Sequence, residues 1–394
     1  MTTLEHRAEG ERGRVRITAL KAMQIEDGSG QTLVKVETDA GLTGYGEAGG
    51  TGPVTRAHLR WLEPMLLGQD PLCIEMLYLK MTTQQHTYRA HAATVSGVDM
   101  ALWDLAGKVL GLSISEMLTG RLRDRVELYY TGGPADMLDP GSCRAWAHEA
   151  LADPGGYRTF KLGFDDPLWT TYGRDRVDIA RPSMMLKPSE VAVVGRAFGN
   201  IREALGPTCD IIVHCHNEWD VPSAIGLSEV LEPVRPLWME DVMPLWYSEG
   251  WKALKAASRV RVATGEKLET PREFLPFLQS GALDALHPDL AFCGGITGGR
   301  KIAELGELFY VPVVTHNVGS AVQNAASAHF GAMTRNFAMS ETRLYCRPLL
   351  HEMVEEPMVV RDGKLHVPAG PGLGVTLVPE VLRAHLVPGE PWWD

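Results

Sequence analysis

The sequence predicts an α/β protein in which a parallel sheet closes into a (β/α) barrel and an α+β unit precedes it. From residue 126 onward, strand-like apolar runs alternate with helical segments over roughly 220 residues, which is the pattern of a parallel sheet. Several of these runs end in a polar residue of catalytic type, at similar spacing. Seven or eight such repeats favour a closed barrel over an open sheet, and 394 residues suffice for two domains.

The N-terminal unit combines three predicted strands with a helical region. Residues 15–25, 32–38 and 42–47 have strand-like composition and are separated by turns rich in Asp and Gly. Apolar residues at helical spacing then extend over 54–118, and the small residues within 97–108 indicate a tightly packed helix. We expect residues 14–125 to form one α+β domain.

The barrel is predicted over residues 126–349. Its first strands are 126–130 and 159–162, and later helices are expected at 223–231, 251–257, 271–279 and 299–308. Segment 165–190 has neither pattern and is long for a strand–helix loop, so it is a candidate lid or oligomer contact. Residues 350–394 are strand-like and turn-rich, and we expect them to pack on the N-terminal domain.

Composition and charge argue against several kinds of partner. The formal net charge is −11, whereas binding to nucleic acid or to an anionic membrane needs clustered Lys and Arg. No apolar run approaches the length of a membrane span. The six cysteines are scattered without a CxxC pair, which argues against zinc-ribbon and redox motifs and suits a reducing cytoplasm.

A regular series of polar residues follows the predicted barrel strands. His214 comes first, Glu240 and Glu266 follow at steps of 26 residues, Asp289 follows after 23 and His316 after 27. In a (β/α) barrel the residues at the C-terminal ends of the strands form the active site. The series therefore predicts an active site at that end of the barrel.

Glu240 and Glu266 would point into the barrel mouth from neighbouring strands. Two carboxylates there repel each other unless a cation lies between them, so a divalent metal is the simplest explanation, with His214 as a further ligand. Each Glu could instead cap a following helix or pair with a basic side chain on the rim.

His316 and Asp289 would end adjacent strands. An Asp beside a His fixes the tautomer and raises the basicity of the ring, which leaves the other ring nitrogen as a general base. The alternative is a structural His bonded to a carbonyl group.

Two further residues are candidates for the site. Lys161, at the end of the second strand, would either face the metal or be a solvated strand end. Glu341 is a candidate contribution of the eighth strand.

Together with three motifs, this pattern resembles the enolase superfamily, and within it the mandelate racemase subgroup that includes acid-sugar dehydratases. The motifs are VDMALWDLAGK at 98–108, HPDL and CGGIT within 287–297, and GPGLG at 370–374. The resemblance covers roughly residues 15–394. It implies a modified (β/α)7β barrel with a capping domain, an Mg²⁺ ion, and abstraction of a proton α to a carboxylate.

The resemblance also implies roles for single residues. Glu240 and Glu266 match the second and third metal carboxylates of the family. His316 with Asp289 matches the dyad that takes the α-proton. Glu341 matches the acid that hydrogen-bonds the substrate carboxylate.

The chain departs from the subgroup at two strands. The racemases carry Lys-x-Lys at the second strand, but here Lys161 is followed by Leu162 and Gly163, so the second base is missing. One-base chemistry favours β-elimination over 1,1-proton transfer. Dehydratases carry Asp-x-His at the third strand, where the His protonates the leaving hydroxyl; here His216 matches that acid and His214 replaces the Asp.

The His214 departure leaves three interpretations. Imidazole suits later divalent metals better than Mg²⁺. His214 could therefore ligate Mn²⁺, Fe²⁺ or Zn²⁺, or Mg²⁺ could bind through two carboxylates and water, or the site could be impaired or repurposed.

The expected function is a metal-dependent lyase that dehydrates a sugar acid (an aldonate or aldarate) to its 2-keto-3-deoxy product. His316 would remove the α-proton, His216 would protonate the departing 3-hydroxyl, and Lys161 and Glu341 would bind the acid group. A divalent metal, Mg²⁺ first and Mn²⁺ next, is the expected cofactor, and the protein is expected to be a cytoplasmic homo-oligomer. The alternatives are a racemase or epimerase of an α-substituted carboxylate, and a catalytically silent acid-binding homologue.

Overall fold

A computed structural model describes residues 13–26, 28–83, 91–118, 120–163, 184–216 and 219–393. Most of the candidate lid at 165–190 lies outside these residues. Its last three residues contradict the prediction of an irregular segment, because a helix runs over Pro188–Leu205. Proline suits the first position of a helix, and Glu190 accepts a hydrogen bond from the Lys187 N–H at 2.7 Å, so a local start signal was present.

The N-terminal unit is an antiparallel sheet covered by helices. The strands are β1 (Ile17–Gln24), β2 (Thr32–Thr38) and β3 (Thr43–Ala48), and the helices are α1 (Gly52–Leu66), α2 (Ile74–Thr82), α3 (Ala92–Leu110) and α4 (Ile114–Leu118). Helix α3 lies directly on β3: a Cβ atom added at Gly46 would lie 2.0 Å from the carbonyl oxygen of Gly97. The small residues predicted to allow tight packing lie at this contact.

Eight parallel strands form the closed barrel. They are β4 (Arg125–Thr131), β5 (Thr159–Gly163), β6 (Asp210–His214), β7 (Trp238–Glu240), β8 (Val262–Thr264), β9 (Ala285–Leu286), β10 (Val313–Thr315) and β11 (Phe337–Thr342). Strand β11 pairs with β4, with Ser340 opposite Leu128, and this pairing closes the sheet. The predicted barrel and its preceding α+β domain are both confirmed.

Helices connect the barrel strands along the chain. They are α5 (Pro140–Ala152), α6 (Pro188–Leu205), α7 (Val221–Leu231), α8 (Glu249–Ala257), α9 (Pro271–Ser280), α10 (Gly295–Leu308) and α11 (Ala321–Met333). The barrel interior has its own buried cluster, which includes Tyr129, Ile212, Trp238 and Val314. Such a filled interior leaves the strand ends as the place for a site. Within the described ranges, none of the helices is both long enough and apolar enough to cross a membrane.

The C-terminal tail returns to the N-terminal unit. It contains α12 (Leu349–Glu352), β12 (Val360–Arg361), β13 (Lys364–His366) and α13 (Pro379–Ala384). Glu390 pairs with Arg56, with Oε1 2.9 Å from Nη2, and the Trp393 carbonyl accepts a bond from Lys35 Nζ at 2.7 Å. The expected contact of the tail with this unit is present; the domain boundaries proposed from the sequence stay a prediction.

Two carboxylates of the N-terminal unit cap helices of the barrel. Asp99 Oδ2 accepts a hydrogen bond from the Thr297 N–H in the first turn of α10 at 2.9 Å. Glu47 accepts bonds from the Ser320 N–H at 2.9 Å and from the Gln323 N–H at 3.1 Å, at the start of α11. Acceptor oxygens at a helix N-terminus satisfy N–H groups that have no partner within the helix. These contacts hold the N-terminal domain on the barrel.

Candidate active site at the barrel mouth

The C-terminal ends of the barrel strands bring the predicted residues together. His214 and Glu240 are the last residues of β6 and β7, and they lie side by side in the sheet. Asp289 and His316, which follow β9 and β10, also form a backbone bridge. Since parallel strands end at one rim, a series spaced one strand–helix repeat apart lies around a single mouth.

Asp289 and His316 form a hydrogen-bonded dyad. Asp289 Oδ2 lies 2.5 Å from His316 Nδ1. The other carboxylate oxygen of Asp289 accepts bonds from the Gln323 side chain at 2.6 Å and from the Ala291 N–H at 2.7 Å. Asp289 is fully buried. These three contacts hold its carboxylate in place, and the carboxylate in turn orients the His316 ring. His316 Nε2 then faces Glu266 Oε2 at 3.4 Å.

The charges around His316 determine its protonation. Burial by itself lowers the pKa of this imidazole, but the carboxylates of Glu266, Glu341 and Asp289 outweigh that effect and raise the pKa to about 9. His316 is therefore an imidazolium at neutral pH while these carboxylates are uncompensated. The charge of Glu266 must be neutralised before His316 can act as a base near neutral pH.

Lys161 lies between two buried carboxylates and is only 2% exposed. Its Nζ is 2.8 Å from Glu240 Oε1 and 2.8 Å from Glu341 Oε2. The alternative of a solvated strand end is therefore wrong. Burial raises the pKa of Glu341, but Lys161 and neighbouring donors outweigh it and lower this pKa to about 2. Glu341 is thus an ionised acceptor, held also by the Thr131 hydroxyl at 2.6 Å.

His214 lies among the carboxylates, and His216 lies on top of it. His214 Nδ1 is 3.4 Å from Glu240 Oε1, and its Nε2 is 3.8 Å from Glu266 Oε2. Burial, together with the charge of Lys161, lowers the pKa of His214 well below the usual value, so the ring is neutral. The exposed His216 ring stacks on it with centroids 3.9 Å apart. A positive φ of 58° at His216 turns the chain there.

Two groups of side chains in the described part of the chain could hold a metal ion. One consists of His214, Asp241 and Glu266, and the other of Glu240, Glu266 and His287; within each, the ligand atoms lie within 4.8 Å of one another. The predicted ligands His214, Glu240 and Glu266 are divided between these groups. Glu266 belongs to both, and its Oε2 is buried without a hydrogen-bond partner. A cation would satisfy this oxygen, so the residues fit a divalent metal.

His287 and Tyr129 received no role from the sequence. The Tyr129 hydroxyl lies 2.8 Å from His287 Nε2 and donates to Glu341 Oε2 at 3.2 Å. Burial lowers the pKa of His287 to about 4, which leaves the ring neutral. His287 opens the His-Pro-Asp triplet that contains Asp289, so its position was visible in the sequence. Tyr129 lies inside a strand, where only side-chain alternation could have indicated it.

Asp241 and Lys267 were also missed, although each directly follows a predicted metal ligand. Asp241 is 1% exposed and has a positive φ of 53°. Lys267 Nζ lies 3.2 Å from Glu266 Oε1 and 3.7 Å from Asp241 Oδ2. The strand pattern alone would place residue 241 on the opposite side of the strand from Glu240, and only the left-handed turn brings it to the mouth.

The fold and the site define a barrel enzyme with a capping domain, and comparisons with known proteins identify its class. Residues 143–381 match the family described as Enolase C-terminal domain-like. Residues 17–119 match the family described as Mandelate racemase / muconate lactonizing enzyme, N-terminal domain. The chain therefore belongs to the enolase superfamily, whose members bind a divalent metal.

Individual relatives are similar over nearly the whole chain. A D-xylonate dehydratase of Haloferax volcanii is 31% identical over 390 residues, which is 97% of this chain and 92% of that protein. A D-gluconate dehydratase of Thermoproteus tenax is 31% identical over 90% of this chain and 69% of its own length. A mandelate racemase/muconate lactonizing enzyme-like protein from Rubrobacter xylanophilus has a crystal structure with a TM-score of 0.86 and 28% identity, covering 96% of this chain and 99% of that one.

Proposed function

We propose that the protein is a metal-dependent hydro-lyase that dehydrates an aldonate or aldarate to its 2-keto-3-deoxy acid. The observation that carries the proposal is the geometry of the His316–Asp289 dyad. The ring nitrogen that Asp289 does not bind, Nε2, faces the metal-capable carboxylate of Glu266 at 3.4 Å, which suits removal of a proton next to a carboxylate group. The relatives named as D-xylonate and D-gluconate dehydratases support the same reaction class.

His316 is the proposed general base. The hydrogen bond that Nδ1–H donates to Asp289 leaves Nε2 as the atom that takes the α-proton. Asp289 also stabilises the imidazolium that forms, since its buried carboxyl group is hydrogen-bonded to the ring. A positioned base of this kind contributes about 10²–10⁴-fold to the rate.

The negative charge that develops on the substrate carboxylate needs positive charge around it. A divalent cation, when bound, supplies such charge at the α-carboxylate. Lys161 supplies a second, permanent charge, because the carboxylates of Glu240 and Glu341 keep its ammonium protonated. We assign the hydrogen bond to the substrate acid group to Lys161, since ionised Glu341 can accept but not donate. Glu341 holds Lys161 in place.

His216 is the proposed general acid for the leaving group. Loss of the α-proton forms a carbon–carbon double bond while the bond to the 3-hydroxyl breaks, and the proton from His216 lets the oxygen leave as water. The enol product then becomes the 2-keto acid. His216 is exposed and stacks on His214, so it is close to the mouth and accessible to a substrate.

One feature favours elimination over racemisation. The residue after Leu162 in β5 is Gly163, which has no side chain to serve as a base on the opposite face. With a base on only one face, the α-proton can be removed but not returned to the other side. A racemase or epimerase would need a base from elsewhere.

The cofactor and assembly follow from the same proposal. Mg²⁺ is the first candidate ion and Mn²⁺ the second, since one candidate ligand is an imidazole. The substrate is a small carboxylate. Assembly into a homo-oligomer and a cytoplasmic location remain predictions.

A substrate screen tests the proposal. The purified protein would be incubated with C5 and C6 aldonates and aldarates in the presence of Mg²⁺ or Mn²⁺, and the 2-keto product would be measured as its semicarbazone. We expect product from at least one acid, and none after chelation of the metal. If instead both epimers of a recovered acid appear and no 2-keto product forms, the racemase alternative holds.

A further inference from the structure

Glu47 belongs to strand β3 of the N-terminal domain, but its carboxyl group binds the barrel and is 1% exposed. Oε1 accepts a hydrogen bond from the Ser320 N–H at 2.9 Å. Oε2 accepts one from the Ser320 hydroxyl at 2.5 Å and one from the Gln323 N–H at 3.1 Å. Ser320 is the N-cap of α11, so the N–H of Gln323 has no partner within the helix. Glu47 therefore fixes the first turn of α11.

Gln323 connects this contact to the proposed base. Its backbone N–H donates to Glu47, and its side-chain amide donates to Asp289 Oδ1 at 2.6 Å. Asp289 in turn lies 2.5 Å from His316 Nδ1. Glu47, Gln323 and Asp289 are all buried, so water has little access to these bonds. Three hydrogen bonds thus lead from a side chain of the N-terminal domain to the His316 ring.

The chain between His316 and α11 is packed against the same side chains. A Cβ atom added at Gly319 would lie 1.9 Å from Gln323 Oε1 and 2.6 Å from both Glu47 Oε1 and Gln31 Oε1. Gln31, like Glu47, comes from the N-terminal domain and is buried. The segment that follows His316 is therefore held between the two domains, with no room for a larger residue at position 319.

We propose that Glu47 is a positioning residue for the His316–Asp289 dyad, so that the N-terminal domain aims the base as well as docking on the barrel. This inference rests on the proposed function. Without Glu47 the first turn of α11 can shift, and the Gln323 amide then no longer holds Asp289 in place. A misplacement of about 1 Å can lower the rate about 10²-fold.

Asp99 provides a matched control. It is a second buried carboxyl group of the N-terminal domain that caps a barrel helix, with Oδ2 2.9 Å from the Thr297 N–H. Among the described hydrogen bonds, none joins Asp99 or Thr297 to Asp289 or His316. If both carboxyl groups only fasten the domains together, their removal should have similar effects. If Glu47 positions the dyad, only its removal should slow the removal of the α-proton.

Steady-state kinetics of Glu47→Ala and Asp99→Ala test the proposal, with Mg²⁺ and an acid sugar that the wild type dehydrates. We expect Glu47→Ala to lower kcat by at least about tenfold with KM unchanged, because a misaimed base slows the reaction but not substrate binding. Asp99→Ala should keep a kcat close to that of the wild type. A wild-type kcat in Glu47→Ala, or an equal loss in both variants, would overturn the proposal.

A measurement on the dyad itself separates positioning from general loss of structure. Asp289 keeps a proton on His316 Nδ1 whether or not Nε2 is protonated. Nuclear magnetic resonance of protein labelled at its histidines can follow this proton, and the loss of its signal in His316→Asn identifies it. We expect the signal to shift in Glu47→Ala and to stay in place in Asp99→Ala. An unshifted signal in Glu47→Ala would also overturn the proposal.

Glu47→Gln keeps the proposal testable if Glu47→Ala does not fold. Glutamine retains one acceptor oxygen, so we expect a smaller loss of kcat with KM unchanged and a smaller shift of the His316 signal; wild-type values of both would count against the positioning role. A shifted signal in a protein that turns over no sugar acid would remove the proposed function and keep this role. Sugar-acid turnover with an unshifted signal would do the opposite.

Discussion

Replacement of Lys161 by methionine should strongly destabilise the protein at neutral pH. The ammonium of Lys161 makes two 2.8 Å contacts with Glu240 and Glu341, and both partner side chains are at most 1% exposed. Without it, the buried carboxylate of Glu240 loses its ammonium partner, and Glu341 keeps only the more distant His316 ring, 3.7 Å from its Oε2. Breaking a buried ion pair by removal of one partner costs about 3–5 kcal/mol. We expect a loss of that size in the free energy of unfolding of the metal-free protein at pH 7.

The pH dependence gives the same prediction a second test. The folded-state pKa of Glu341 is lowered to about 2, so its ionised form contributes stability above its unfolded pKa, and this is lost as the pH falls through the folded value. Lys161→Met lacks that contribution, and the difference from the wild type should shrink between about pH 4.5 and pH 2. Lys252→Met is the control, because the Lys252 side chain is 61% exposed. In urea unfolding, its free energy of unfolding should differ from that of the wild type by less than about 0.5 kcal/mol. A loss below about 1 kcal/mol in Lys161→Met at pH 7 would refute the reasoning.

Two further predictions concern positioning and docking. Gln323→Leu removes the side-chain amide that donates to Asp289 at 2.6 Å. We expect kcat to fall about tenfold with KM unchanged in steady-state kinetics. A raised KM with an unchanged kcat would contradict a role in positioning the dyad. Burial, partly opposed by the hydrogen bonds from Thr297, raises the pKa of Asp99 to about 7. The protonated side chain therefore stabilises the folded protein fully below about pH 4. This contribution is lost as the pH rises to 7, by an amount on the order of 4 kcal/mol. Asp99→Asn should lose this pH dependence in urea unfolding, and an unchanged slope would contradict it.

The fold was predictable because the hydrophobic pattern repeats. Alternation of strands and helices indicated the barrel, and the strand ends indicated where Glu240, Glu266 and His316 would meet. These predictions needed only the periodicity of strands and the common direction of a parallel sheet. The helix at Pro188 was missed because the sequence before it has neither a strand nor a helix pattern, and the start signal itself is short.

The finer structure of the site was not predictable, because it depends on contacts distant in sequence. The ion pairs of Lys161 reach 79 and 180 residues along the chain, and no local pattern encodes them. The left-handed backbone of Asp241 is likewise a property of the folded turn. The pKa of His316 depends on three carboxylates from three other strands or loops, so its value follows only from the assembled mouth.

The most direct test of the central claim is the fate of the substrate α-proton in His316→Asn. The variant and the wild type would be incubated in D₂O with an acid sugar that the wild type dehydrates, while the 2-keto product and deuterium at the α-carbon are followed by nuclear magnetic resonance. We expect both dehydration and α-deuterium exchange to fall by at least about 10²-fold, because the base is missing. Dehydration at the wild-type rate would contradict the assignment of His316, and with it the proposed mechanism.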